Sequence, residues 1–332
     1  MSIKVIRPGL LASIQDLGRY GFQKYGIIVS GAMDSFSLRI ANLLVGNQEG
    51  EAAIEVTMMG TSLQFEKDSL IAITGGDLSP VIEGKKVPLW KPVLVKKGSI
   101  LQFTACRSGC RAYMAVFGGY DIPEVMNSRS TYLRGTIGGY EGRALQANDV
   151  LLFKKNEQAH DLVNHLKKEW KDKSFHTVDW YVPADQVLNK QEILVIKGAE
   201  FERFSSESKT TFFDEEFQIT PQSDRMGYRL SGSELQLNEP FELLSEAVAE
   251  GTIQVPQDGN PIILLADRQT TGGYPRIAQI ATVDLPAIAQ LKPGEKIRFK
   301  EITLEEAEQL YLMREQNIEA IKTGLLLKQR SL

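Results

Sequence analysis

A chain of 332 residues, 42% hydrophobic and 24% charged, has an ordinary globular composition and enough length for two domains that each bury a core. Its formal net charge of −4 offers no basic face for nucleic acid. No apolar run reaches the roughly eighteen residues of a membrane span, and MSIKVIRPGLLASIQ lacks the cationic and long apolar regions of a secretion signal, so a cytoplasmic protein is expected.

In chain order, the first dense polar cluster is Gln15, Asp16 and Arg19 around Gly18. Ser30-Gly31-Ala32-Met33-Asp34 then leads into a predicted helix. Asp34 is a good N-cap, Leu38, Ala41, Leu44 and Val45 fall on one side, and Gly46 is a stop. The N–H groups of such a terminus, with Ser30 and Arg19 nearby, suit a carboxylate or phosphate; Asp34 as cap satisfies one donor itself and brings negative charge. Further along, Arg129, Ser130, Arg134, Gly138-Gly139 and Arg143 form a cluster able to fix an anion through paired guanidinium hydrogen bonds, or simply solvated surface arginines.

Cys106 and Cys110 form a single C-x3-C, while His160, His165 and His176 lie together in a polar stretch elsewhere. That spacing does not assemble four zinc ligands, so no metal and two reduced thiols near a strand end are expected.

Three runs share one spacing: Val95-x-x-Gly98-x-x-Leu101-x-Phe103, Leu145-x-x-Asn148-x-x-Leu151-x-Phe153 and Leu291-x-x-Gly294-x-x-Ile297-x-Phe299. Each reads as a turn, with Gly or Asn at positive φ, feeding a strand whose apolar side chains alternate inward. A weaker echo sets Gly60-Thr61-Ser62-Leu63-Gln64-Phe65 against Gly232-Ser233-Glu234-Leu235-Gln236-Leu237, and together they point to two related β-rich halves. Residues 154 to 190 are charged and poorly patterned, as a linker would be, with Leu162, Val163 and Leu166 at the spacing of a short helix. The expected organisation is 1–155, a linker over 156–190, a second domain over 191–300 and a C-terminal helix over 301–332. Thr303 and Glu306 make a capping box for that helix, which runs to about Leu327 with an apolar stripe of Leu304, Ala307, Leu310, Ile318, Ile321 and Leu325. The fold class is therefore mainly β with a few helices.

Within the second half, Asp224-Arg225-Met226-Gly227-Tyr228-Arg229 is either a ligand cluster or a local Asp–Arg pair at a turn into a strand. The densest stretch is Gly251 to Pro275, GTIQVPQDGNPIILLADRQTTGGYP. Ile262 to Leu265 read as a short buried strand, entered through a turn at Pro256, Asp258, Gly259 and Pro261. It leaves through Asp267, Arg268, Gln269, Thr270 and Thr271 into Gly272-Gly273, glycines that either let backbone approach a ligand or take positive φ. The alternative is an acid and a base that satisfy loop backbone.

DRQTTGGYP and SDRMGYRLSG, with QDLGRYGFQKYGIIVSGAMD, IANLLVGN and SRSTYLRGTIGGYEGR, closely resemble the KipA-like family, the C subunit of bacterial 5-oxoprolinase, which also covers the carboxyltransferase region at the end of urea carboxylase and urea amidolyase. The likeness spans residues 1 to 300 or so. It implies two tandem cyclophilin-like β-barrel domains, which periodicity does not show. It also implies one member of an assembly, inactive alone, that acts with KipI-like B and LamB/YcsF-like A subunits to open 5-oxo-L-proline to L-glutamate with ATP and Mg. Two other roles are implied by the same resemblance: carboxyl transfer from a biotinylated carrier, and antagonism of a KipI-like inhibitor of a sporulation histidine kinase.

By residue type, Arg268, Arg19, Arg129 and Arg143 suit anionic oxygens, Asp258 or Asp267 a base or a metal-bound water, and Ser30, Asp34, Gln269, Thr271 and Tyr274 substrate contacts. There is no phosphate loop, no G-x-S-x-G elbow and no Ala-Met-Lys-Met biotin site, and the histidines sit outside every dense motif.

Overall fold

A computed structural model describes residues 2–154, 161–170, 173–183, 190–241 and 243–330. His160 and the expected linker positions 156–160, 171–172 and 184–189 lie outside the described residues. The chain divides into two compact units, one of residues 1–18, 34–188 and 316–332, the other of 19–33 and 189–315.

The first unit holds two six-stranded sheets around a shared apolar core. One runs in the order Val150–Leu152, Ser2–Pro8, Thr61–Phe65, Ile100–Phe103, Pro80–Ile82, Lys85–Lys86. The other runs Phe175–Thr177, Pro92–Val95, Ser69–Asp77, Ser108–Val116, Ala53–Thr57, Leu11–Gln15. Alternate residues of these strands, among them Ile3, Val5, Ile54, Val56, Leu63, Phe65, Ile71 and Ile73, are fully buried, as period-two patterning requires. Helix α1, Ser35–Leu44, packs on the second sheet, capped by Asp34. The stretch expected as linker contains helix α2, Asp161–Glu169, and the strand Phe175–Thr177, which extends that sheet beside Pro92–Val95.

The second unit is a closed barrel of Glu192–Lys197, Arg276–Ile280, Thr252–Gln254, Ile262–Leu264, Gly227–Ser231, Phe217–Ile219 and Lys296–Glu301. Its pairings are antiparallel except where Lys296–Glu301 runs parallel to Glu192–Lys197 and closes the ring. Ile193, Val195, Ile253, Ile263, Ile277, Phe217 and Phe299 fill it, with Phe299 stacked on Phe212 of helix α3, Ser206–Asp214, at 4.6 Å between ring centres. Burial of each such side chain stabilises the fold by about 1.5–3 kcal/mol. Helix α4, Leu285–Gln290, and the start of helix α5, Leu304–Arg330, fall in this unit, while α5 from residue 316 on falls in the first. Thr303 and Glu306 form the expected reciprocal cap on α5, with N–H to side-chain oxygen distances of 2.8 and 3.1 Å. In the apolar stripe of α5, Ile318 and Leu325 are buried while Leu304 is exposed.

The three runs of common spacing adopt one conformation. Gly98, Asn148 and Gly294 all have positive φ, at 86°, 76° and 92°. Each donates its N–H to a neighbouring strand, to Phe65 O at 2.7 Å, Val5 O at 2.8 Å and Ile219 O at 2.8 Å. In each, the next residue closes a turn onto the carbonyl three positions back: Ser99 to Lys96, Asp149 to Gln146, Glu295 to Lys292. The second echo does not extend to structure. Thr61–Phe65 is a strand, whereas in 232–237 only Leu237 makes a bridge, with Phe204.

Candidate functional site

Strands Gly227–Ser231 and Ile262–Leu264 pair with Tyr228 opposite Ile263, which sets Arg225, just before the first, against Asp267, just after the second. Asp267 N–H donates to Arg225 O at 2.9 Å. The Arg225 guanidinium returns two bonds, Nε to Asp267 Oδ2 at 2.9 Å and Nη2 to Oδ1 at 3.1 Å. Both side chains are buried. Ser30 Oγ donates to the same Oδ1 at 2.8 Å, and Arg225 Nη2 donates to Gly31 O at 2.6 Å. Ser30 and Gly31 lie at φ 57° and 96°, so segment 19–33 bends sharply where it meets this clamp. Asp267, expected as a base, therefore has both oxygens engaged in holding loop to barrel. Asp224 instead caps its own turn, accepting from Met226 N at 2.8 Å.

Next to the clamp, Arg268, Gln269 and Thr270 line a pocket of about 170 Å³ with Ala247, Val248, Gln23, Ile28 and Val29. Arg268 is half-buried, and among the described residues its guanidinium makes only two long bonds, to Val248 O at 3.4 Å and Leu265 O at 3.3 Å. Burial lowers its affinity for its proton, while the charge of Glu250 and the phenol of Tyr20 raise it. It remains a cation at neutral pH. Glu250 is the acid on the other side of this balance: burial pushes its carboxyl up to about 7, against the pull of Arg268 and Arg225 and with a further push from Asp267.

The other residues singled out from sequence are placed as follows. Arg19 is buried in the second unit, its N–H closing onto Val29 O at 2.7 Å. Asp258 is exposed and serves its own turn, accepting from Asn260 N at 3.1 Å beside Gly259 at φ 76°. Thr271 is exposed in the two-residue strand Thr271–Gly272, opposite Ala247. Tyr274 is exposed, and its carbonyl accepts from Gln254 Nε2 at 3.2 Å. Gly272 and Gly273 do not take positive φ; a Cβ on Gly272 would sit 2.4 Å from Gln254 Nε2, so this glycine makes room for the protein's own side chain.

Three further residues belong to the first unit. Asp34 caps α1, accepting from Ser37 N at 2.8 Å and Ser37 Oγ at 2.6 Å. Arg129 pairs with Glu124 at 2.7 Å and Glu51 at 3.6 Å. Arg143 grips Asp149 through both terminal nitrogens, at 2.7 and 2.9 Å, and reaches Glu141 at 2.6 Å. Cys106 and Cys110 are not joined in a disulfide, and among the described residues no group of three or more His, Cys, Asp or Glu is placed to hold a metal. No described helix is long and apolar enough to cross a membrane.

Sequence reading missed Glu250, Gln23 and the pairing of Arg225 with Asp267. Glu250 stands one residue before the stretch that drew attention. Its only local signal is Gly251, which at φ 84° packs against Gln279 and Leu285 and fixes the backbone beside it.

A family model for the carboxyltransferase domain, subdomain A and B, matches residues 25–301. The chain is 39% identical to the 5-oxoprolinase C subunit of Haemophilus influenzae, over 90% of this chain and 91% of that one. It is 38% identical to the 5-oxoprolinase C subunit of Escherichia coli, over 92% and 93%. Among solved structures, Kluyveromyces lactis urea carboxylase superposes with a TM-score of 0.85 at 30% identity, covering 98% of this chain and 29% of that one. The K. lactis urea amidolyase gives 0.84 at 30% identity, with 96% and 20% covered. The chain thus spans less than a third of either large protein.

Proposed function

The chain belongs to the carboxyltransferase-domain A and B family, and from that membership we propose that it is the C subunit of a cytoplasmic ATP-dependent 5-oxoprolinase. Its partners in this proposal are KipI-like B and LamB/YcsF-like A subunits, and the chain has no turnover alone. The observation that carries the reading is likeness to two 5-oxoprolinase C subunits over at least 90% of both sequences, with neither protein leaving a large remainder.

A lactam is a resonance-stabilised amide and a poor electrophile. ATP, used by the assembly, supplies the activation of its carbonyl oxygen. This chain's contribution is binding and orientation. The Arg268 cation, weakly satisfied by its own loop, is suited to an anionic oxygen of the substrate, and Gln269, Thr270 and Gln23 offer hydrogen bonds around it. The Arg225–Asp267 clamp holds the Arg268 loop to the barrel. The Mg of ATP is assigned to no residue of this chain.

The test is to purify the chain with both partners and measure glutamate release from 5-oxoproline and ATP, omitting each component in turn. Activity without this chain would overturn the proposal. A second reading, carboxyl transfer from a biotinylated carrier, is supported by the TM-score of 0.85 to urea carboxylase. A genomic neighbour encoding a biotin carrier and carboxylase, in place of a LamB/YcsF-like neighbour, would favour it.

A further inference from the structure

Part of the wall of the Arg268 pocket is a ribbon that stands apart from the barrel sheet. Glu246–Ala247 pairs antiparallel with Thr271–Gly272, Glu246 opposite Gly272 and Ala247 opposite Thr271, as a two-stranded sheet of its own. Ala247 and Val248 line the pocket from one side of the ribbon, Gln269 and Thr270 from the other. A ladder this short does not hold itself together in water. The ties between each strand and the barrel therefore decide whether the wall stands.

Those ties are unequal. Thr271–Gly272 leads through Gly273, Tyr274 and Pro275 into the barrel strand Arg276–Ile280. Gly272 packs on Gln254, whose Nε2 donates to Tyr274 O at 3.2 Å. The other strand has an exposed approach through Leu244 and Ser245, and Glu246 and Ala247 are themselves exposed. A barrel side chain reaches it: Arg276 Nη2 donates to Glu246 Oε2 at 2.8 Å. The same guanidinium is fixed by buried Glu200, with Nε to Oε2 at 2.8 Å and Nη2 to Oε1 at 2.7 Å, and the Arg276 N–H donates to Glu200 Oε2 at 3.0 Å. Arg276 is thus already ordered, and its bond to Glu246 costs only the freedom of Glu246 and its strand.

We propose that Glu246 is a positioning residue for the Arg268 pocket: bonded to Arg276, it holds the Ala247–Val248 wall in place and so sets how tightly the pocket takes a small anionic substrate. The identity of that substrate rests on the 5-oxoprolinase reading; the latch rests on the geometry of the ribbon. A chain whose ribbon is open binds poorly, so apparent affinity falls with the fraction of chains in which the ribbon is formed. Saturating substrate draws the ribbon back to its formed state, so the rate at saturation does not depend on Glu246. Arg268 has a different signature, because it meets the substrate itself and its loss lowers the rate.

The test compares Glu246→Ala, Glu246→Gln and Glu301→Ala by two readouts. Glu301 is a control, a similarly exposed carboxylate that pairs with Lys197 at 3.0 Å and does not line the pocket. In hydrogen exchange of the whole chain, the Val248 amide, bonded to Thr270 O at 3.2 Å, should exchange about threefold to fivefold faster in Glu246→Ala. The Leu230 amide, bonded within the barrel to Pro261 O at 2.9 Å, should not change. In the reconstituted assembly, KM for 5-oxoproline should rise about threefold with kcat unchanged. Glu246→Gln keeps an oxygen for Arg276 and should fall between wild type and Glu246→Ala in both readouts, and Glu301→Ala should match the wild type. The proposal is overturned if the Val248 amide keeps its wild-type rate in Glu246→Ala, if KM holds or kcat falls in its place, or if Glu301→Ala reproduces the changes. An assembly that releases no glutamate with the wild-type chain would instead sink the oxoprolinase reading, and the exchange rates would still decide the latch.

Discussion

Arg225 and Asp267 grip each other through two side-chain bonds and one backbone bond, at 2.9, 3.1 and 2.9 Å, although they stand 42 positions apart. Both are buried, so removing one leaves the other's charge uncompensated. Arg225→Ala should therefore lower unfolding free energy by about 3–5 kcal/mol. Urea denaturation of the whole chain measures this, and a loss below about 1 kcal/mol would mean that water replaces the guanidinium without cost.

Arg268, the next residue along, should behave in the opposite way. Its two bonds are long and go to carbonyls, so Arg268→Ala should leave the melting temperature and partner binding close to wild type. Turnover of the reconstituted assembly should fall by about a hundredfold to a thousandfold, as when a transition-state donor is lost. A destabilised variant with normal activity per folded molecule would show that Arg268 serves the loop and not a ligand.

This contrast shows what the sequence could and could not reveal. The turn-and-strand spacing at Gly98, Asn148 and Gly294 was readable because positive φ and alternate burial leave local marks, and the α5 cap was readable because Thr303 and Glu306 satisfy each other within one turn. The Arg225–Asp267 pair was not readable, because strand register across the barrel decides it, and Asp224 stands next to Arg225 as a false local partner. At Gly272 positive φ was not the reason for the glycine; close approach is real there, and it is to Gln254. Glu250 left no mark beyond the glycine after it, since a lone Glu before a Gly resembles any exposed turn until the barrel half-buries it.

The α5 cap gives a third, smaller expectation. Thr303→Ala removes the acceptor of the Glu306 N–H, a bond of 3.1 Å, and should cost about 1 kcal/mol. Thr303→Ser keeps the oxygen and should restore most of it. Thermal melts of the two variants side by side check this; equal losses would assign the effect to the Thr methyl group and not to the cap.

The last expectation concerns pH and Glu250. A carboxyl raised from its ordinary 4.5 to about 7 in the folded chain is protonated there while its unfolded counterpart is already ionised. Between those two values the folded state binds more protons, so this group's contribution to stability is full below about pH 4.5, falls as pH rises, and levels off above about pH 7. The size of the loss is about 3 kcal/mol. Glu200 and Asp149, whose carboxyls are lowered by Arg276 and Arg143 against the opposing effect of burial, carry the opposite sign and lose stability as pH falls. A raw pH profile therefore mixes them. Comparison with Glu250→Gln separates Glu250 from the rest, because the amide cannot titrate while the other groups are unchanged. From about pH 5 to about pH 8 the variant should gain on the wild type, ending more stable by most of that amount. Parallel profiles for the two proteins would mean that water reaches the carboxyl and that Glu250 is ionised in the folded chain at neutral pH.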